Sequence, residues 1–186
     1  MCKINLNNLL SDDSRIKYSS AKKAIAISKK YPVGLYQSFD FFVKLLDGEN
    51  QIIKWTAIQV IGYLSRVDKH KKVDKLLPRL IDFLNCGKMI TANNTILSLS
   101  VIASYKPEYQ NRIISELLKV ETYNYETVEC RNIALGKVIL ALGKFKDQIK
   151  NKKEALNFLE RQTGNTRNAT KKKAHELLGK LKKGWR

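Results

Sequence analysis

Residues 57–64 read Ala57-Ile58-Gln59-Val60-Ile61-Gly62-Tyr63-Leu64, and residues 174–181 read Ala174-His175-Glu176-Leu177-Leu178-Gly179-Lys180-Leu181. Both fit Ala-x-x-x-(Ile/Leu)-Gly-x-Leu, and they stand 117 residues apart, three times 39. Weaker copies place Ala21, Thr95 and Ala134 at the alanine position, so the steps run 36, 38, 39 and 40 residues. A segment recurring at such a period marks stacked supersecondary units, each too small to bury its apolar face alone. The small residues let neighbouring helices approach closely, and the flanking aliphatics fill the layer between them.

Working outward, apolar residues recur at helical spacing along nearly the whole chain, and strand alternation is nowhere found. The expected class is all-α. Helices are predicted at Asp13–Lys30, Gly34–Leu46, Asn50–Val67, Lys71–Asn85, Ile90–Tyr105, Glu108–Val120, Glu126–Phe145, Gln148–Gln162 and Asn168–Lys183. Between them stand Tyr31-Pro32-Val33-Gly34, Asp47-Gly48, Cys86-Gly87, Lys106-Pro107 and Thr163-Gly164-Asn165, residues that end helices by left-handed or helix-incompatible geometry. Asn50 and Asn168 are suited to cap the helices that follow. Short links between long helices imply antiparallel neighbours, hence about four to five helical hairpins in one domain over residues 1–186.

Composition agrees with a folded chain. At 44% hydrophobic and 28% charged residues, with 3 prolines and 9 glycines among 186, it is too apolar for intrinsic disorder. A domain of this size buries roughly 70% of its unfolded surface and needs no metal or disulfide staple. Cys2, Cys86 and Cys130 are odd in number and far apart, which argues against a zinc site and a secreted disulfide framework. No apolar run is long enough to span a membrane, and the stretch Met1-Cys2-Lys3-Ile4-Asn5 lacks the pattern of a signal peptide. The expectation is a cytoplasmic protein with no membrane partner.

The second predicted hairpin carries a family resemblance. Leu76-Leu77-Pro78-x-Leu80-x-x-Phe83-Leu84 is similar to the first helix of a HEAT repeat, including the proline that commonly bends it. A cation three before the small position fits the same pattern at Lys54, Arg131 and Lys171, whereas Ala92 and Tyr18 stand there in the other two copies. The chain thus resembles the HEAT-type, armadillo-like helical repeat proteins. That resemblance implies a right-handed α-superhelix whose second helices line a concave surface, and it leaves function open, since such proteins include scaffolds, adaptors and nucleic-acid binders.

Charge is the strongest functional signal. There are 35 Lys and Arg against 17 Asp and Glu, a net charge of +18. Residues 144–186 alone hold 14 basic and 4 acidic side chains, whereas residues 88–143 hold 6 and 5. Lys150, Lys152 and Lys153 fall in the first turn of one predicted helix, and Lys171, Lys172 and Lys173 in that of the last. Cations at a helix start add to the positive end of the macrodipole and weaken the helix, so both clusters, taken as side by side with free backbone N–H groups, point to an anion. Lysine-rich surfaces are also commonly mere solvation.

Trp55 lies on the helix face opposite Ile53, Ala57, Ile61 and Leu64, near Lys54, Gln59 and Arg66. There it would stack on a base, clamp a peptide, or pack between repeats. Alkylpurine DNA glycosylases built from HEAT-like repeats are similar in basicity and in such a tryptophan. Gln59 stands where a catalytic acid would follow Trp55, so the resemblance does not transfer their chemistry, and a divergent enzyme of that type is the weakest reading. His70 and His175 read as surface residues, Cys86 and Cys130 as small apolar fillers, and Trp185 as a terminal anchor or a frayed end. No catalytic constellation, cofactor motif or metal ligand set is found.

The leading expectation is a non-enzymatic protein binding a nucleic-acid backbone through Lys54, Trp55, Arg66, Arg131, Lys137, Lys150, Lys152, Lys153, Lys171, Lys172 and Lys173. The alternative is a scaffold holding an acidic or amphipathic peptide on Trp55 and Tyr63.

Overall fold

The computed structural model describes residues 4–184. Cys2 and Trp185 lie outside the described residues. Several helices begin where a side chain accepts backbone N–H groups that lack a partner in the first turn. Asp13 Oδ1 accepts from the N–H of Arg15 at 2.7 Å and starts α1 (Ser14–Lys30). Asn50 Oδ1 accepts from Ile53 at 3.1 Å and starts α4 (Gln51–Leu64). Thr127 Oγ1 accepts from Cys130 at 3.1 Å and starts α8 (Val128–Lys144). The remaining helices are α2 (Val33–Tyr36), α3 (Phe39–Leu45), α5 (Lys72–Asp82), α6 (Met89–Tyr105), α7 (Gln110–Leu118), α9 (Lys152–Gln162) and α10 (Asn168–Gly184). The described residues contain no strand. The protein is all-α.

Three boundary expectations are corrected. The helix predicted from Gly34 to Leu46 is broken after α2, because the Ser38 N–H bonds back three residues to Leu35 O at 2.9 Å and tightens the chain there. Asn168 is inside α10, and the Arg167 carbonyl instead receives the N–H groups of Thr170 and Lys171. Among the turn glycines only Gly87 takes a left-handed backbone, at φ 74°, and a second left-handed residue, Lys71 at φ 54°, falls where a helix start was predicted.

The small-residue positions of the sequence copies are all buried. Ala21 is 3% exposed, and Ala57, Thr95, Ala134 and Ala174 are all at 0% or, for Thr95, equally sealed. Their helices α1, α4, α6, α8 and α10 lie against one another in chain order, with the intervening shorter helices flanking them. One cluster of buried apolar side chains runs from Leu9 to Leu181. Burial of this kind, at about 25 cal/mol per Å² of apolar surface, supplies most of the stabilisation.

Two seams share one device. A Cβ on Gly62 would stand 2.5 Å from Ser98 Oγ, and one on Gly136 would stand 2.8 Å from Thr170 Oγ1. Each hydroxyl occupies the notch the glycine leaves and donates to the carbonyl one turn before it, Ser98 to Ile58 at 2.8 Å and Thr170 to Asn132 at 2.7 Å. These notches lock α6 onto α4 and α10 onto α8. Among the described residues, no helix is long and apolar enough to cross a membrane.

Candidate nucleic-acid interface

The notch at Gly136 brings cations together. Beyond Thr170, the place of a Gly136 Cβ is 3.5 Å from Lys173 Nζ, so the Lys173 side chain lies half-buried along α8. Burial pulls the Lys173 ammonium below the ordinary lysine range, and the nearby Lys137 and Arg167 charges pull it the same way. Lys137 is exposed, as are Lys171 and Lys172, the two residues just before Lys173 on α10, whose first turn contains no acid. Arg131 is half-buried near the start of α8, lining a small hollow with Tyr125, Thr127 and Val128. Arg167, which a pattern of lysines within the first helical turn does not pick out, stands just before α10. Its guanidinium also pairs with Glu129 of α8.

The other lysine triplet is built differently. Lys150 precedes α9, and only Lys152 and Lys153 lie in its first turn. The Glu154 N–H donates to Asn151 Oδ1 at 3.2 Å, while Asn151 Nδ2 donates to Glu154 Oε2 at 2.7 Å. The protein's own capping pair therefore occupies the helix start where free N–H groups were expected, and it brings a carboxylate there. Lys150 lines a hollow with Asn111 and Ile114 of α7, whereas Lys173 rests on α8. The two triplets thus stand at or just before the starts of α9 and α10, helices that pack on each other, and the α9 start carries its own capping pair.

Trp55 is half-buried, and its indole N–H donates to Thr91 Oγ1 on α6 at 2.9 Å. One turn on, Gln59 Nε2 donates to Asn94 Oδ1 at 2.6 Å. Both side chains bridge the α4–α6 seam, so the polar edge of the tryptophan is spent inside the fold. Lys54 is half-buried beside it. Arg66 is exposed in the 3-10 turn Ser65–Val67 that follows α4, roughly 17 Å along the axis from Trp55 at about 1.5 Å per residue. Its guanidinium lies 5.8 Å from the Tyr105 ring centroid, a cation–π contact. Arg66 and Lys54 therefore stand at opposite ends of α4.

Successive helices also present aliphatic side chains to solvent: Ile52 is 41% exposed, Ile90 45%, Leu97 36% and Leu140 49%. Cys86 is exposed, against the expectation of a buried filler, while Cys130 is half-buried. His175 is exposed on α10. The described residues contain no group of three or more His, Cys, Asp and Glu side chains placed to hold a metal ion.

No protein-family model matches the chain, and no curated protein does. The crystal structure of an engineered protein is similar at a TM-score of 0.49 and 16% identity, over 96% of this chain and 95% of that one. That likeness is too slight to bear on fold or function.

Proposed function

We propose that this chain is a right-handed HEAT-like α-superhelix that binds the phosphate backbone of DNA or RNA, without catalysis, through Lys137, Lys171, Lys172 and Lys173. Arg131 and Lys54 extend the surface, and Lys150, Lys152, Lys153 and Arg66 contribute to the wider basic field. The serial packing of α1, α4, α6, α8 and α10 supports the superhelical reading. The observation that carries the functional one is Lys173, held half-buried beside Lys137 and Arg167. Like charges brought together destabilise the fold that holds them, and a polyanion reverses the sign of that interaction. Lysine acts as a point charge without the bidentate fork of arginine, so little sequence discrimination is expected.

Exposed Ile52, Ile90, Leu97 and Leu140 favour a second reading, in which an acidic amphipathic peptide lies across the same helices. One filter-binding series separates the two. Backbone binding through about five phosphates gives a log–log salt slope near −4.5 on duplex DNA, is lost in the Lys137→Glu, Lys173→Glu variant, and survives Trp55→Ala. Collapse on Trp55→Ala points to the peptide, and no retention of nucleic acid at about 50 mM salt removes the leading proposal.

A further inference from the structure

A cleft of about 610 Å³ opens between α2, the 65–70 turn and the end of α6, a volume usual for small-ligand sites. Its floor is the Asp68 carboxylate, whose side chain has 0% exposure. Asp68 Oδ1 accepts from the Tyr36 hydroxyl at 2.5 Å and the Lys72 N–H at 2.9 Å. Oδ2 accepts from the Val73 N–H at 2.9 Å and stands 3.2 Å from Lys106 Nζ, which also meets Asp74 Oδ1 at 2.5 Å. Lys71, at φ 54°, is held in a left-handed backbone beside this knot. A non-glycine residue there carries strain, and such strain persists where surrounding bonds over-determine the turn.

The rigid turn carries Arg66, Lys69 and His70 to the rim of the cleft. Among the described residues neither Arg66 nor Lys69 has an ion-pair partner. The walls are aromatic: His70 stacks on Tyr36 at 6.1 Å between centroids and 16° between planes. Tyr105 remains 48% exposed beneath Arg66. Cations without acidic partners beside exposed aromatic faces, on a turn fixed in advance, suit a flat ring that carries an anion. The Lys106 charge is already taken by two carboxylates and is not offered to a ligand.

We propose that this cleft binds a nucleoside monophosphate, its base against Tyr105 and its phosphate on Arg66 and Lys69. Glu108, on the same rim, disfavours further phosphates. The group is supplied either by a free nucleotide or by the 5′ end of a strand. The site shares Arg66 with the wider basic field but no residue with the Lys137–Lys173 cluster, so it stands or falls separately from backbone binding at that cluster.

The test is calorimetric titration of the full chain with AMP, adenosine, inorganic phosphate and a 5′-phosphorylated trinucleotide. AMP is expected to bind saturably and at least about tenfold more tightly than adenosine or inorganic phosphate, a difference of roughly 1.4 kcal/mol. Arg66→Ala and Tyr105→Leu, both at exposed side chains, each weaken AMP about tenfold with the thermal transition kept, and Lys69→Ala provides an independent check. Lys137→Glu with Lys173→Glu leaves AMP binding intact. A trinucleotide that binds at least as tightly as AMP identifies the strand end as the source, and a weaker one identifies the free nucleotide. Absence of saturable AMP binding, equal binding of inorganic phosphate, or indifference to both Arg66→Ala and Tyr105→Leu overturns the assignment.

Discussion

Replacing Lys173 by methionine keeps the length of the side chain and removes its charge. Burial, Lys137 and Arg167 all disfavour the charged form in the folded protein, so the folded value lies below that of the unfolded chain. The unfolded state therefore binds more protons between the two values, and native stability rises with pH through that window, up to about 10.4. At neutral pH the Lys173→Met variant should be more stable than the native protein by a few tenths of a kcal/mol, the scale of a like-charge pair. The same variant should bind a polyanion less well. Thermal melts and salt-dependent binding, measured together, check the pair of outcomes. A melting temperature that falls, or affinity that is unchanged, removes Lys173 from the interface. Stability gained with binding lost is the pattern of a residue kept for function.

Helix seams bring out what glycine does in this fold. Gly62 and Gly179 occupy the same place in the two sequence copies, yet only Gly62 has a helix against it, since nothing lies within 4 Å of a Cβ on Gly179. Gly62→Ala is expected to cost about 1–3 kcal/mol by forcing α4 from α6. Gly179→Ala should stabilise by up to about 1 kcal/mol, the difference in helix propensity. Urea midpoints of both variants test this, and equal effects would remove the notch as a locking device. The contrast also shows what the sequence could express. Period, class and most helix spans follow from local spacing, and the buried row Ala21, Ala57, Thr95, Ala134 and Ala174 was placed correctly from it. Whether a neighbour faces a given glycine is not local. Lys106 read only as a helix break before Pro107, because its partners Asp68 and Asp74 stand 38 and 32 residues earlier. Glu154 within the α9 start could have been noticed as a capping partner of Asn151, and that marks the α9 start as already holding a carboxylate.

At the scale of the molecule, the Asp68 knot joins α2, α5 and the end of α6, so its titration acts on several units at once. Burial by itself pushes the Asp68 carboxyl up, but the Tyr36 hydroxyl, two backbone N–H groups and Lys106 outweigh it and hold it below the ordinary range. Burial likewise works against the Lys106 charge, and Asp74 and Asp68 overcome it and raise that group. The stabilisation is therefore complete between about pH 4 and about pH 10.4, fades in acid as pH falls through the lowered Asp68 value, and is lost in alkali as pH rises through the raised Lys106 value. Asp68→Ala should cost about 3–5 kcal/mol at neutral pH, with the gap to the native protein closing in acid below about pH 4. Denaturant midpoints across pH report this, and a gap independent of pH would show that the carboxylate charge is immaterial. The seams themselves are unequal. α4–α6 and α8–α10 are pinned by a hydroxyl in a glycine notch, whereas at the α6–α8 seam the side-chain hydrogen bonds stand at one end, where the Met89 N–H donates to Glu126 Oε2 at 3.1 Å and the Tyr125 hydroxyl donates to the Leu84 carbonyl at 2.6 Å, and the helices beyond meet by packing. Dispersion resists separation but has little direction, so it restrains sliding weakly. Sliding at this seam, restrained at its Glu126–Met89 end, would change the reach between Lys54 and the Lys137–Lys173 cluster, and under the proposed backbone binding it would let one surface meet backbones of different curvature.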